Sequence, residues 1–381
     1  MHLRTKQKLD KWLGGFLVAV NLAAAKALGF ILKRNHTLVP GPKNILFIKI
    51  MGFGSLLAAA DAIQAVKEKY PGARLILLGN TQVTEGIKLT ELFDEYWTLN
   101  DKAFFQTLTG TIKFLYASWQ KKQLWVCNLE VYSKLTSVFS LWTCARNRFD
   151  FFFNEVLFRK NLNTHPVYFN QFALVSENYN RMAEAMGAPV DKEYTFKSFP
   201  QSARQTPENR YIFINNTCSE LAKERLYPMD QLLTLCTQLY KKYQYTLVFT
   251  GAEEDVAYYN EVIKKLSPEI LVQNIAGKYS LTSFIMKMYK ECFLLITVDS
   301  GPMHYAQRLG IPMISLWGPT NPNTRIKENP FSATIYLGVP CSPCVHHTEI
   351  LPCGGNNFCM KNISPAIIIQ TAEKLLSNLP S

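Results

Sequence analysis

The sequence has 381 residues, which is more than one ordinary hydrophobic core holds and suits two α/β domains. Apolar residues make up 48% and charged residues 18%, a composition that excludes an intrinsically disordered chain. The formal net charge of +12 favours an anionic partner. No Lys/Arg-rich run with interleaved aromatic residues stands out, so we do not expect a nucleic-acid partner.

The N-terminal segment is unusually apolar. Residues 12–32 read WLGGFLVAVNLAAAKALGFIL, with Lys and Arg on both sides, and Pro40 ends the predicted helix. No small-residue cleavage site follows, which argues against a secretory signal. We predict a membrane-associated amphipathic helix over residues 1–39 that lies in the plane of an anionic leaflet. A helix packed against the protein body is the alternative, with a true membrane span behind both.

The chain then opens as a doubly wound unit. A strand, a glycine turn, a helix and a second strand are predicted at Asn44–Ile50, Met51–Ser55, Leu56–Tyr70 and Ala73–Leu78. The region from about residue 102 to 170 is predicted to be helical and rich in aromatic residues, with a strand near Leu124–Leu129. We place the first Rossmann-like domain, on the acceptor side, at residues 40–195, and a polar linker at Thr195–Asn209.

A second α/β series predicts a second Rossmann-like domain at residues 208–365, followed by a C-terminal helix at residues 366–381. Strands are predicted at Tyr211–Asn215, Tyr245–Thr250, Ile270–Ile275, Phe293–Val298 and Met313–Trp317. Helices are predicted at Met229–Tyr243, Glu253–Leu266, Ser280–Tyr289 and Gly301–Leu309. Ligands of such sheets bind at the carboxyl ends of the strands, so we expect the two domains to face a cleft.

The segment Asp299–His304 has the pattern of an anion-binding turn. A buried strand leads into Asp299 and Ser300, which are residue types that cap helices, and Gly301 allows a ligand close to the backbone. The helix that follows presents free N–H groups and a positive dipole end, which suit a diphosphate. Pro302 is tolerated in its first turn. A plain capped junction between a strand and a helix is the alternative interpretation.

Together with its neighbours, this segment resembles glycosyltransferase family 9, the ADP-heptose:lipopolysaccharide heptosyltransferases. The matching motifs are D-S-G-P-M-H at 299–304, A-x-x-L-G-I-P at 306–312, L-W-G-P-T-N-P at 316–322, G-K-x-S-L at 277–281 and G-A-E at 251–253. The first strand and glycine turn at Ile45–Gly54 and the tail at Cys341–Met360 also match, so the resemblance covers about residues 44–365. The C-terminal motifs are specific, and the N-terminal ones much less so.

The resemblance implies a GT-B fold, an inverting mechanism, no catalytic metal and no cofactor. It implies that Asp299 bonds the donor sugar, that Ser300 and Gly301 hold the diphosphate, and that Glu253 lies by the ribose. A cation in the loop after Tyr211–Asn215 should bind the donor phosphates, because a leaving diphosphate needs its charge neutralised. The candidate donor-binding residues are Thr217, Ser219, Lys223, Arg225, Glu253, Ser300, Gly301, Pro302, Met303 and His304, with Lys223 and Arg225 as alternative cations.

The first glycine turn departs from the family pattern. The family carries an Asp directly after the Gly, as the expected general base, whereas here Ser55 follows Gly54, with Gly52 on the same acceptor-side turn. A serine cannot accept the acceptor's proton as a carboxylate would. Either Asp61 on the next helix replaces the base, or the enzyme relies on leaving-group stabilisation alone, or its catalytic power is lost. The candidate catalytic residues are therefore Ser55, Asp61 and Asp299.

Nine cysteines are present, an odd number whose distribution argues against a secreted disulfide scaffold and favours the cytoplasm. Four of them cluster near the C-terminus at Cys341, Cys344, Cys353 and Cys359. Four thiolates suit a tetrahedral structural zinc site. Reduced cysteines that pack a loop are the alternative.

These features predict an inverting glycosyltransferase that moves a sugar, with heptose expected, from an ADP-heptose-like nucleoside-diphosphate donor to a lipopolysaccharide core or related glycolipid. The protein would be cytoplasmic and peripherally associated with the inner membrane. Two alternatives remain. One is a non-catalytic relative that binds nucleotide sugar or glycolipid and lacks the usual base. The other is a different GT-B enzyme, such as a sugar-nucleotide epimerase.

Overall fold

The computed structural model describes residues 3–100, 103–199, 207, 210–218, 223–345, 348 and 351–379. The chain divides into two compact units, residues 1–199 and 200–381. Each unit is built on one six-stranded sheet in which all strand pairs are parallel. The predicted α/β class with two Rossmann-like halves is confirmed. Most of the predicted linker at Thr195–Asn209 lies outside the described residues.

The first sheet has the strand order β3-β2-β1-β4-β5-β6. Its strands are Asn44–Ile48 (β1), Arg74–Gly79 (β2), Glu95–Thr98 (β3), Leu124–Asn128 (β4), Asn147–Phe152 (β5) and His165–Tyr168 (β6). β1, β2 and β4 are near-continuous apolar runs and are buried, as strands covered on both faces must be. The chain order reverses between β1 and β4, and ligands of doubly wound sheets bind beyond the carboxyl ends of such a pair.

Helices cover both faces of the first sheet. They are Phe53–Ala58 (α3), Ala60–Lys69 (α4), Thr81–Ile87 (α5), Phe104–Trp119 (α6), Lys134–Trp142 (α7) and Val175–Ala185 (α8). α3, α4, α5 and α8 contact one another on one face, whereas α6 and α7 contact each other on the opposite face. A short 3-10 segment, Asn154–Asn161, follows β5.

The chain begins with two helices that pack on the first unit. α1 (Leu3–Leu9) continues through a π-helical turn at Asp10–Gly14 into α2 (Gly15–Leu32). α2 ends where Lys33 adopts a left-handed conformation with φ of 42°, before the proline at which the sequence predicted its end. Val18 and Leu22 pack against α7 and the segment after β5. The helix is therefore partly docked on the body of the protein.

The second sheet has the strand order β12-β11-β10-β7-β8-β9. Its strands are Tyr211–Asn215 (β7), Leu247–Phe249 (β8), Val272–Asn274 (β9), Cys292–Val298 (β10), Met313–Trp317 (β11) and Ser332–Tyr336 (β12). Its helices are Met229–Tyr243 (α9), Val256–Lys265 (α10), Leu281–Glu291 (α11), Gly301–Arg308 (α12), Phe358–Lys361 (α13) and Pro365–Ser377 (α14). The order reverses between β7 and β10, so the carboxyl ends of these two strands mark its binding edge.

The sequence analysis missed four strands: β3, β5, β6 and β12. The region around residues 102–170 is consequently less helical than predicted. β5 escaped notice because Asn147 and Asp150 interrupt its apolar run. Asp150 is fully buried and pairs at 2.8 Å with the equally buried Arg159, nine residues further along the chain. Burial raises the pKa of Asp150, which Arg159 opposes.

Candidate functional site

The strand–helix junction of β10 and α12 forms the centre of the candidate site. Ser300 stands at the N-cap of α12 in an extended conformation, but its hydroxyl does not cap the helix. It donates instead to Asn215 Oδ1 at 2.5 Å. The first turn of α12, from Gly301, thus keeps its N–H groups free of a capping side chain, which is the arrangement that anions bind. Pro302 lies in this turn, and Met303 is buried beneath it.

Asn215 joins three strand ends at this edge. It is the last residue of β7 and is buried. Its Nδ2 donates to the carbonyl of Thr250, beyond β8, at 2.8 Å, and its Oδ1 accepts from Ser300 and from Thr297 of β10. These bonds lock the carboxyl ends of β7, β8 and β10 together. Asn215 was not among the predicted site residues, although a polar residue that ends a buried apolar run is a usable signal.

Arg225 meets Asp299 across the site. Its guanidinium donates to the Asp299 backbone carbonyl at 3.0 Å and lies 3.4 Å from Oδ2. Both side chains are only 13% exposed, so the ion pair is partly shielded from water. Lys223, in the same short 3-10 turn, is exposed. The structure thus brings Arg225, rather than Lys223, to the α12 junction.

Two described residues of the loop after β7, Thr217 and Cys218, lie near this site. Thr217 is buried beside Asn215, and its hydroxyl hydrogen-bonds Asp255. Cys218 lies next to Arg225, and burial raises the pKa of its thiol, while Arg225 opposes the shift. Ser219, another predicted donor contact, lies outside the described residues.

A cavity of about 370 Å³ opens at the carboxyl ends of β8 and β9. Its lining residues come from the two predicted turns and the adjoining helix, namely Glu253, Val256, Asn260, Asn274, Ala276, Gly277 and Lys278. Gly277 has φ of +68°, and its N–H donates to the carbonyl of Gly251 at 3.1 Å. A Cβ at Gly277 would lie 2.8 Å from the Cα of Glu253. The G-A-E and G-K-x-S-L motifs therefore form one wall of the same cavity.

His304 lies in the first turn of α12 and is partly buried. Burial lowers the pKa of its imidazole to about 4, and Arg325 and Arg308 act in the same direction, while Asp299 opposes them. The ring is therefore uncharged at neutral pH. It can offer a hydrogen bond near the helix N-terminus without adding a charge.

The acceptor-side turn lies at the end of β1. Gly52 has φ of +78°, a conformation that favours glycine, and precedes α3. The Ser55 hydroxyl donates to the Gly52 carbonyl at 2.7 Å, and its N–H bonds the same oxygen. Gly54 is buried between them. The hydroxyl and the N–H of Ser55 therefore both form hydrogen bonds within the turn.

A buried carboxylate at this edge escaped the sequence analysis. Glu130 follows β4, next to β1, and its Oε1 accepts from the N–H groups of Ile50 and Met51 at 2.8 and 2.9 Å. Its Oε2 accepts from Lys49 Nζ at 3.1 Å. Glu130 thus clamps the backbone that leads into the Gly52 turn. All these bonds link β1 to a residue about 80 positions away, so spacing alone did not reveal them.

Asp61 lies on α4, where its Oδ1 accepts from the backbone N–H of Tyr194 at 2.7 Å. This contact ties α4 to the end of the first unit. It gives no support to Asp61 as a replacement base, which stays a prediction.

The four C-terminal cysteines lie close enough to influence one another. Burial raises the pKa of Cys359 to about 11, and the neighbouring thiols add to the shift. In the part of the tail that the structure describes, which lacks His346 and His347, and elsewhere among the described residues, no three His, Cys, Asp or Glu side chains are grouped to hold a metal ion. The predicted zinc site at Cys341, Cys344, Cys353 and Cys359 has no support from this geometry. Cys359 instead packs under Gly318, where a Cβ would lie 2.8 Å from its sulfur.

The chain is similar to known heptosyltransferases in sequence and in fold. The chain is 29% identical over 134 residues to lipooligosaccharide heptosyltransferase 2 of Campylobacter jejuni, a match that spans 35% of this chain and only 41% of that relative. It is 23% identical over 360 residues to lipopolysaccharide heptosyltransferase 1 of Campylobacter coli, covering 88% and 99% of the two chains. The fold matches E. coli ADP-heptose LPS heptosyltransferase II with a TM-score of 0.67 at 16% identity, covering 88% and 98%. Because the model of glycosyltransferase family 9 (heptosyltransferase) matches residues 148–354, more than half of the chain, the protein belongs to that family.

Proposed function

We propose that the protein transfers heptose, with inversion, from an ADP-heptose-like donor to a lipopolysaccharide core or related glycolipid. The observation that carries the proposal is the Arg225–Asp299 pair beside the uncapped N-terminus of α12. It places one cation and one carboxylate where a sugar diphosphate needs both. The similar proteins are lipopolysaccharide or lipooligosaccharide heptosyltransferases, which supports the choice of donor and acceptor.

The donor's diphosphate would lie against the first turn of α12. There the backbone N–H groups from Gly301 onward and the Arg225 guanidinium share the negative charge. The nucleoside would occupy the 370 Å³ cavity, with the Glu253 carboxylate accepting hydrogen bonds from ribose hydroxyls. The phosphates would draw Arg225 partly away from Asp299. The Asp299 carboxylate would then accept hydrogen bonds from hydroxyls of the sugar.

In the transfer step, an acceptor hydroxyl oxygen would form a bond to the anomeric carbon as the bond from that carbon to the diphosphate oxygen breaks. The diphosphate leaves with the electron pair, and Arg225 and α12 stabilise its developing charge. The acceptor's proton goes to water. We favour leaving-group stabilisation over a replacement base because Glu130 and Asp61 both hold backbone N–H groups, and Ser55 closes its own turn.

The first unit would present the Gly52 turn to the acceptor, with Glu130 keeping its backbone in place. We further propose that the protein works on the cytoplasmic side of the inner membrane, as a peripheral protein. The helical stretch Gln7–Ile31 is long and apolar enough by length and composition to cross a membrane. Its docking through Val18 and Leu22 favours a helix that lies along the membrane instead.

A direct test is to incubate the purified protein with ADP-heptose and delipidated core oligosaccharide and to follow ADP release and glycosylated product. The proposal expects acceptor-dependent release that Asp299→Ala abolishes. ADP-heptose binding without any turnover, unchanged in affinity for Ser55→Ala, would instead favour the non-catalytic relative. ADP release or epimerisation without acceptor would favour the other GT-B chemistry.

A further inference from the structure

Two helices of the first unit expose continuous apolar stripes. On α2 and the turn before it, the exposed side chains at helical spacing are Trp12, Phe16, Val20, Phe30 and Ile31. Trp12 is 77% exposed and Phe30 79%, although large aromatic side chains are rarely left so open to water. The opposite side of the same helix packs on α7 through Val18 and Leu22. The exposed apolar side chains thus lie on the face of the helix that does not contact α7.

The second stripe runs along α6. Its exposed side chains are Phe105, Leu108, Ile112, Tyr116 and Trp119, which recur every three or four residues. Phe114 and Leu115, on the inner face, are buried in the core of the first unit. α6 therefore has apolar residues on both faces, whereas a helix that only covers a sheet usually exposes polar ones. No residue of α6 was assigned to the donor or acceptor sites described above.

The two stripes lie on the same side of the first sheet. Trp142, at the end of α7, connects the helices that carry them. Its Nε1 donates to Asn21 Oδ1 of α2 at 2.9 Å, and its carbonyl accepts from Trp119 Nε1 of α6 at 2.8 Å. α2 and α6 both contact α7, which lies between them. The two helices that carry the stripes are accordingly neighbours of one helix within one compact unit.

The segments that carry the two stripes are predominantly positive, and one of their lysines, Lys121, pairs with Glu95 at 2.9 Å. Residues 3–34 contain seven lysines and arginines and one acid, and residues 103–122 contain three lysines and no acid. The single acid, Asp10, points inward: its carboxylate accepts from Ser133 Oγ and from the N–H groups of Lys134 and Leu135 at the start of α7. Exposed lysines, among them Lys26 and Lys113, remain beside the stripes.

We propose that the exposed faces of α2 and α6 form one surface by which the protein binds an anionic lipid bilayer. Apolar side chains insert among the acyl chains while lysines contact acidic headgroups, the combination by which interfacial helices bind membranes. The positive rim favours this occupant over a second copy of the chain, whose own rim would repel it. The inference rests on the proposed function in one respect, that the acceptor is a membrane glycolipid.

The attachment of α2 argues against its spanning the membrane. Asp10 caps the N-terminus of α7, and Val18 packs with Val138 and Leu162. A spanning helix would have to give up these contacts, whereas a helix in the plane of the bilayer keeps them. α6 cannot leave the core either, because Phe114 and Leu115 hold it there.

The test is flotation of the full chain with phosphatidylcholine vesicles that contain or lack phosphatidylglycerol. The α6 variant is Phe105→Gln/Ile112→Gln/Tyr116→Gln, and the α2 variant is Phe16→Gln/Val20→Gln. The matched control is Leu271→Gln/Ile367→Gln, which removes exposed apolar side chains from the second unit. Circular dichroism and thermal melting establish that each variant is folded. Turnover with delipidated acceptor is measured in parallel.

We expect each surface variant to lower the partition coefficient for anionic vesicles by at least about tenfold, with the control unchanged. Lys26→Gln/Lys113→Gln should weaken binding to anionic vesicles only, and less so at high salt. The proposal would be overturned if the α6 variant bound anionic vesicles as well as the wild type does. It would also be overturned if the α6 substitutions dissociated a dimer of the protein without changing flotation. Turnover lost while flotation persists would count against the proposed function and leave the surface standing.

Discussion

At the residue scale, Arg225 is the cation that contacts Asp299 at the start of α12, where we propose that the donor diphosphate binds. Arg225→Gln should lower kcat/KM for ADP-heptose by about 10²–10³-fold, because it removes a preorganised charge at the leaving diphosphate. Lys223→Gln is the control. Its side chain is exposed in the same turn, and the change should be about threefold or less. Steady-state ADP release measures both. Equal losses for the two variants would contradict the assignment.

Glu130 holds the acceptor-side turn through three hydrogen bonds, one of them in a buried ion pair with Lys49. Glu130→Gln should lower the free energy of unfolding by about 2–4 kcal/mol, because the buried Lys49 ammonium loses the negative charge that faces it. Urea unfolding measures the loss. Adding Lys49→Met to Glu130→Gln should restore part of it, since the buried ammonium is then removed. A double variant less stable than the single one would show that the pair is not the source of the effect.

The lowered pKa of His304 predicts that part of the free energy of unfolding depends on pH. Its pKa is lowered from the usual 6.5 to about 4 in the folded protein, so the unfolded chain binds more protons between these values. Stability should therefore rise with pH across that window and be fully present above about 6.5. His304→Gln should remove about 1–2 kcal/mol of this rise, less than the full shift because the side chain is partly exposed. Urea unfolding between pH 4 and 7 gives the comparison, and identical pH profiles would rule out the effect.

At the element scale, the turns that end the strands shape the donor site more than the strands themselves. The turn at Gly277 touches the one at Glu253 so closely that no side chain fits between them. Asn215 joins β7, β8 and β10 through its side chain alone. Because these bonds tie the three strand ends together, we expect the proposed donor site to move as one unit with this edge of the second sheet.

Gly277→Ala should weaken ADP binding by about tenfold, because the new Cβ meets the Glu253 backbone and the residue keeps a φ that disfavours alanine. Gly72→Ala is the matched control, since a Cβ there meets nothing within 4 Å. Calorimetric titration with ADP measures the affinities of both variants. If Gly277→Ala binds ADP as tightly as the wild type does, the close contact between the Gly277 and Glu253 turns is not needed for ADP binding.

At the scale of the whole molecule, the two units share one architecture but have different polar and charged residues at the point where the strand order reverses. In the second unit this point holds Arg225, Asp299 and the start of α12. In the first it holds Glu130, Lys49 and the Gly52 turn. Among the described parts of the chain, only the first unit has two helices with exposed apolar stripes that both contact the same helix, α7. The proposed donor binding and the proposed membrane contact thus lie in different units of the chain.

The sequence by itself determined the two α/β halves, the family and the segment Asp299–His304. These depend on local patterns: buried apolar runs, glycines that permit a turn, and the order of short motifs along the chain. Only the tertiary structure brought Arg225 rather than Lys223 to Asp299, revealed the contacts of Asn215 and Glu130, and joined α2 to α6 through Trp142. Each of these depends on contact between residues far apart in sequence, and the free energy that selects such contacts comes from burial in the folded chain, which leaves no fixed spacing to detect.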